Sequence, residues 1–373
     1  MNINDIIIYI VAGFFCLGAL DKCLGNKWGL GQRFTDGFMA MGPLTFTMVG
    51  IISLAPVLAA VLTPVVVPVY SLVGADPASF ANTILALDMG GYSLAKAMSQ
   101  SDQAELFSWV FLGTMLGPTV AFTIPVALGI IEKEDYNYFA KGILLGLITV
   151  PVGCLAGGLL AGIDVSVVLR NLIIPFSLSI LLSLGLWKRT NQMVIGFSVF
   201  GKGVQITAIT GLAAIAIETL TGFVVIPNMT PLEEGVKIVG SIALFLAGAF
   251  PMMAFISKVF KKLLTRIGAK FALSDTSTAG FIASFAHVIP MLTALRSMEP
   301  RGKVLNVAFA VSGAFVFGGH LGFVAGIDRE LAFAVIAGKL IGGFSAVMLA
   351  LIFVPKESSS PKSRMNSGGQ SFD

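Results

Sequence analysis

Asp88, in "LALDMGGYSLAKAM" (85–98), is a carboxylate set among apolar residues and followed by Gly90 and Gly91. A charged acid at the centre of a membrane helix costs ~2.5–3.5 kcal/mol on insertion scales, so it faces a cavity or a partner. There it can act as the counter-ion of a small cation, or carry a proton. The competing reading is a cap, with the carboxylate accepting from the free amides of a half-helix that begins after the glycines. Glu218, in "GLAAIAIETLTGF", is a second intramembrane acid, weighed against an interfacial residue that reaches water. His287 falls opposite Asp88 when the two halves of the chain are compared, and can pair with an acid or bond a hydroxyl. A neutral packing histidine is its alternative, and His320, in "FGGHLGF", carries the same two readings. Asp275 is read as a helix cap and Asp21 as an interfacial residue.

These residues need elements to hold them, and composition says which. Of 373 residues, 56% are hydrophobic and 12% charged, about half the charged fraction of a soluble domain. Apolar segments fall at 6–24, 37–62, 64–74, 77–98, 106–131, 138–162, 165–187, 203–226, 235–257, 274–296, 303–327 and 331–354. Nearly all are long enough to cross ~30 Å of hydrocarbon as helices. The expected fold class is an all-α polytopic membrane protein with about 9–11 transmembrane helices. The basic stretch 258–270 is expected to lie along the membrane surface as an amphipathic helix. The first apolar run lacks a basic n-region and reads as a retained span. The Ser- and Gly-rich end, 355–373, reads as a disordered cytoplasmic tail.

Self-comparison at an offset near 197 aligns Gly13 with Gly211, Gly42 with Gly240, Gly50 with Gly248 and Gly146 with Gly342. It sets "LALDMGGYSLAKAM" against "SFAHVIPMLTALRSM". The expected organisation is a first transmembrane repeat over 1–164, a linking helix and cytoplasmic loop over 165–202, and a second repeat over 203–354. Basic loops at 187–189, 258–270 and 296–303 belong in the cytoplasm, and the acidic loops near 228–237 and 328–330 outside. These assignments agree if 77–98 and 274–296 enter and leave the membrane on the same side, broken at Gly90–Gly91 and at Pro290. The two repeats are then inverted, with a substrate site near midplane at the broken helices. The alternative is about eleven complete spans.

Several classes fall away. The net charge of +4 resides in short loops that orient the chain, so no nucleic-acid partner is expected. Three cysteines without a CxxC and two distant histidines suggest no metal site. There is no GxxxxGK[ST], HExxH or G-x-S-x-G pattern, which disfavours a nucleotide-driven pump or an enzyme and implies no cofactor. Glycine pairs four apart, such as Gly142/Gly146, Gly153/Gly157 and Gly338/Gly342, are assigned to close helix packing.

The stretches "GFMAMGPLTFTMVG", "LALDMGG", "GPTVAFTIPVALGIIE", "PVGCLAGG", "PRGKVLNVAFAVSGAFVFGGHLGF" and "GKLIGG" together resemble the ethanolamine utilization permease family, EutH, over about residues 5–354. The resemblance implies a multi-pass protein of the bacterial inner membrane that imports ethanolamine, by facilitated diffusion or secondary transport. It makes ethanolamine and the lipid bilayer the expected partners, and leaves room for a homo-oligomer. Protonated ethanolamine is a small cation with one hydroxyl. Its ammonium needs a carboxylate or an aromatic face, for which Asp88, Glu218 and Tyr92 are the candidates, with Phe285 a further aromatic wall. Asn82, Thr83, Ser284 and His287, near the two broken segments, are candidates for its hydroxyl. Transport of another small amine or alcohol is the alternative, followed by a membrane scaffold or sensor for ethanolamine-metabolising enzymes.

Overall fold

A computed structural model describes residues 2–271 and 273–354, and all regular structure among them is helical. The predicted tail, 355–373, lies outside the described residues. The first helix, α1 (Ile3–Cys23), opens on a capping box in which Asn2 and Asp5 satisfy each other's backbone amides. In its last turn Asp21 is buried within the protein: its carboxylate accepts from the amides of Trp28, Leu30 and Gly31 and folds the turn beneath it. Next come α2 (Leu30–Met39) and α3 (Met41–Ser71), the latter merging the predicted segments 37–62 and 64–74 despite Pro56, Pro64 and Pro68.

The first broken segment follows. Helix α4 (Ala78–Ile84) stops at Leu85, a short turn covers Leu87–Met89, and α5 (Gly91–Met98) resumes after Gly90. Gly90 has φ +87°, and a Cβ there would sit 2.0 Å from Ile51, so glycine is required on both counts. Four long helices come next: α6 (Asp102–Ile130), α7 (Tyr136–Leu160), α8 (Val165–Lys188) and α9 (Thr190–Thr221). Helix α10 (Leu232–Lys270) runs unbroken for 39 residues. The stretch 258–270 is therefore a continuation of a spanning helix, not a separate helix along the surface.

The second broken segment is α11 (Asp275–Ala286) and α12 (Ile289–Ala294), separated at His287 and Val288. Ser274, not Asp275, caps α11, accepting from the amide of Ser277. A third break was not expected. The predicted span 303–327 divides into α13 (Pro300–Gly313) and α14 (Gly319–Ile327). Between them the chain turns extended at Ala314 and left-handed at Phe315, φ +62°. The amides freed by this unwinding find partners: Phe315 donates to the Ser284 carbonyl and Phe317 to that of Phe285, both in α11. Unwound backbone survives at membrane depth only with such satisfaction. The chain closes with α15 (Ala332–Phe353).

Eight helices among the described residues are long and apolar enough to span a bilayer. Fewer are uninterrupted than the 9–11 expected, because three apolar lengths are broken. Small residues bring the central helices together. A Cβ on Gly142 or Gly146 of α7 would meet Val307 or Val311 of α13 within 2.6 Å, and one on Gly153 would meet Gly338 of α15 at 2.8 Å. At the offset near 197 the packing recurs: Gly37 against Ala247 matches Gly235 against Val49, and Gly50 against Ala208 matches Gly248 against Val11.

Candidate functional site

The three breaks meet around one cavity of about 220 Å³. Asp88 enters it from the first break, His287 from the second, and Phe315 and His320 from the third; Pro118 and Phe122 of α6 and Thr47 of α3 complete the polar and aromatic wall. Helix α6 is distorted by wide π-type turns over Phe107–Leu112 and Thr119–Thr123, the second of which carries Phe122 into the cavity wall. Such turns interrupt the regular hydrogen-bond ladder and recur at functional sites.

The rings form a box. Phe315 lies 4.7 Å from the His287 ring, nearly perpendicular at 76°, and 4.5 Å from the His320 ring at 35°. Phe122 closes the side, 5.8 Å from His287 and 6.1 Å from Phe315. A left-handed φ is strained for a bulky residue, and such outliers persist at sites where surroundings enforce them. Here the strain turns the Phe315 ring between two imidazoles. The Nδ1 of His287 accepts from the Ile289 amide at 3.2 Å, so the neutral ring carries its proton on Nε2 as a free donor. Gly90, not Asp88, stands at the N-cap of α5, and no side chain caps that helix.

Behind His320 lies Lys339, whose side chain is fully buried in α15. Its Nζ donates to the Thr114 carbonyl and lies 3.4 Å from His320 Nδ1. Nothing in the sequence marks Lys339 beyond its rarity as a cation within an apolar run, between two packing glycines.

Of the seven predicted site residues, Asp88 and His287 share the cavity. Asn82 lies just behind it: its amide nitrogen donates to the Gly91 carbonyl and to Ser108 Oγ, tying the first break together. Thr83 and Ser284 turn their hydroxyls back onto helix carbonyls, those of Ser79 and Gly280. Tyr92 packs edge-on against Trp109 and Phe323. Glu218 is half-buried in the last turn of α9, away from the cavity lining. Phe285 packs against Phe309 and Phe317. His287 also borders a second, larger cavity of about 950 Å³, which opens between α2, α10 and α11 with Arg33, Asp36 and Asp275 on its walls.

A carboxylate, two aromatic faces and two imidazoles suit a small hydroxylated cation, and comparison with known proteins bears on which one. The family model described as "Ethanolamine utilisation protein, EutH" matches residues 3–353. The chain belongs to the EutH family. A Listeria monocytogenes EutH protein named "Probable ethanolamine permease EutH" is 52% identical, over 94% of each chain. An Escherichia coli protein of the same name is 41% identical, over 96% of this chain and 97% of its own. The Bacillus subtilis protein YxeR, named as uncharacterized, is 59% identical over 98% of this chain and 99% of its own. No solved structure matches significantly. As a EutH member with eight helices fit to span a bilayer, the chain is a multi-pass bacterial membrane protein of the permease class.

Proposed function

We propose that this protein is an ethanolamine permease of the bacterial inner membrane that binds protonated ethanolamine in the cavity at the three helix breaks. The observation that carries the reading is the convergence of Asp88 with the Phe122, Phe315, His287 and His320 rings on that cavity. The Asp88 carboxylate and the Phe faces hold the ammonium, and an imidazole Nε2–H donates to the hydroxyl oxygen. The cavity is small and largely apolar, so the charge pair is poorly screened and selects for a cation.

The recurring contacts at an offset near 197 support two inverted repeats that rock about this site. The larger cavity lies beside the basic end of α10, which the positive-inside rule places in the cytoplasm. On this reading the described conformation is inward-facing, with His287 between vestibule and site. Asp88→Asn removes the counter-ion while keeping the side-chain shape. Uptake of labelled ethanolamine, at low external substrate and mildly acidic pH, should fall by roughly a hundredfold or more with expression unchanged. Normal uptake by the variant would remove Asp88 from the site. The same assay with excess unlabelled small amines and alcohols tests the alternative cargo.

A further inference from the structure

Arg301, in the first turn of α13, takes no part in the site at the three breaks. It is only 8% exposed, and its Nε and Nη1 are enclosed without a hydrogen-bond partner among the described residues. The charged groups beside it in sequence are engaged elsewhere. Lys303 pairs with Asp135, and Glu299 accepts from the Ser274 amide and the Ser277 hydroxyl. An unpaired buried guanidinium is strongly destabilising, so it points to a partner that the chain itself does not supply.

Helical spacing shows what Arg301 faces. Leu305, Ala308 and Ser312 follow it at four, seven and eleven residues, on the same side of α13. Leu305 and Ala308 pack with Leu145 of α7 and with Ala346 and Ala350 of α15, and Ser312 lies against Gly342 of α15. One turn earlier, Arg301 therefore comes beneath the C-terminal end of α15, beside α7. The exposed Lys141 of α7 reaches the same end, its Nζ donating to the Phe353 carbonyl at 3.2 Å. An ammonium has three donors, so Lys141 can hold this carbonyl and an anion together. The flank of this corner is apolar. Ile148 and Val152 lie seven and eleven residues beyond Lys141, and Phe344, Met348 and Ile352 recur at four-residue steps along α15; all five are exposed. These stripes form a lipid-facing wall that ends at the two basic residues, on the side that the positive-inside rule assigns to the cytoplasm.

We propose that Arg301 and Lys141 form a binding site for a phosphate group, presented by an anionic phospholipid of the cytoplasmic leaflet whose acyl chains lie along α7 and α15. The guanidinium supplies a fixed charge with donors that match phosphate oxygens, and the lysine adds a point charge at the rim. The residual exposure of Arg301 is the opening through which an oxygen reaches it. Basic pockets between spanning helices on this side of a membrane take phospholipid headgroups by the same chemistry. Free phosphate carries the same charge but has no chains to cover the apolar flank, which favours the lipid.

The test uses the full chain purified in dodecyl maltoside, a detergent without phosphate. Dioleoyl phosphatidylglycerol should raise the thermal midpoint by several degrees, because a ligand of the folded state stabilises it, and should be retained in native mass spectra. Arg301→Met should weaken that retention by roughly tenfold or more, and Lys141→Gln severalfold. Lys133→Gln, at an exposed lysine just before α7, should leave it unchanged and so separates a site from diffuse attraction. Without lipid, Arg301→Met should be at least as stable as the unaltered protein, since an unpaired buried charge is gone. With phosphatidylglycerol that order should reverse. Inorganic phosphate added alone should give little of the rise. If it reproduces the rise in an Arg301-dependent way, the lipid assignment falls and the site belongs to a soluble phosphate. Equal retention by the unaltered protein and folded Arg301→Met would overturn the proposal. Should Arg301→Met fail to fold, equal retention by Lys141→Gln and Lys133→Gln would overturn it instead.

Discussion

At the first break the chain is sealed: Leu85, Ala86 and Leu87 are buried, and the Asn82 amide spans the gap to Gly91 and Ser108. At the second break, His287 and Pro290 are exposed to the large cavity, and among the described residues no side-chain amide bridges the gap as Asn82 does. The corresponding asparagine, Asn306, stands on the crossing helix α13 instead, bonding the Ser277 and Gly302 carbonyls near the entrance of α11. Matching places in the chain therefore have different mechanical character. A carboxylate in a low-dielectric setting needs a fixed, dry surround to hold a cation tightly. A neutral imidazole has no such need and can stand at an opening. The difference suggests a division in which the first break anchors charge and the second gives access.

That contrast can be broken most severely at Gly90. Gly90→Ala places a Cβ against Ile51 on a backbone with φ +87°, and overpacking with strain should together cost roughly 2–6 kcal/mol. The expected result is a large loss of folded protein by fluorescence-detected gel filtration; a normal yield would mean the first break is not rigid. A smaller effect is expected at the third break. Phe315→Gly relieves a left-handed φ but deletes the ring between the imidazoles. Loss of a cation–π face worth ~0.5–2 kcal/mol should raise the half-saturating ethanolamine concentration severalfold. Removal of this buried ring should lower thermal stability by less than the ~3–5 kcal/mol usual for a core Phe, because the φ strain is relieved. Unchanged affinity would show that the ring is no part of the cation wall.

The mildest probe concerns access. In a background with Cys16 and Cys23, both exposed, replaced by serine, His287→Cys should react with a membrane-impermeant thiol reagent from the vestibule side. Ethanolamine should slow that labelling, and uptake should fall only a fewfold. Labelling solely from the opposite face would reverse the assignment of the vestibule.

Much of this arrangement was legible in the residues. Gly90–Gly91 marked the first break, because only glycine relieves the backbone there, and the pairing of that segment with 284–298 brought His287 beside Asp88. The third break was illegible: "SGAFVF" contains no proline, and its unwinding is paid for by carbonyls of α11 that lie about thirty residues earlier in the chain. Asn82, Thr83 and Ser284 had the right chemistry for a hydroxyl, yet local helix carbonyls and the neighbouring break take up their hydrogen bonds.

Composition and hydropathy alone determined that the chain lives in a bilayer and places very few charges inside it, because burial of apolar surface and the expense of intramembrane charge are local properties of sequence. Which of the buried polar groups face one another was decided only in three dimensions. Asp88, His287, His320 and Lys339 are spread over some 250 residues, and they come together because helices packed through glycine contacts bring three breaks around one cavity. Lys339 shows the physical reason most directly: its partner is a carbonyl freed by a proline on another helix, a vacancy that exists only once α6 and α15 are packed together.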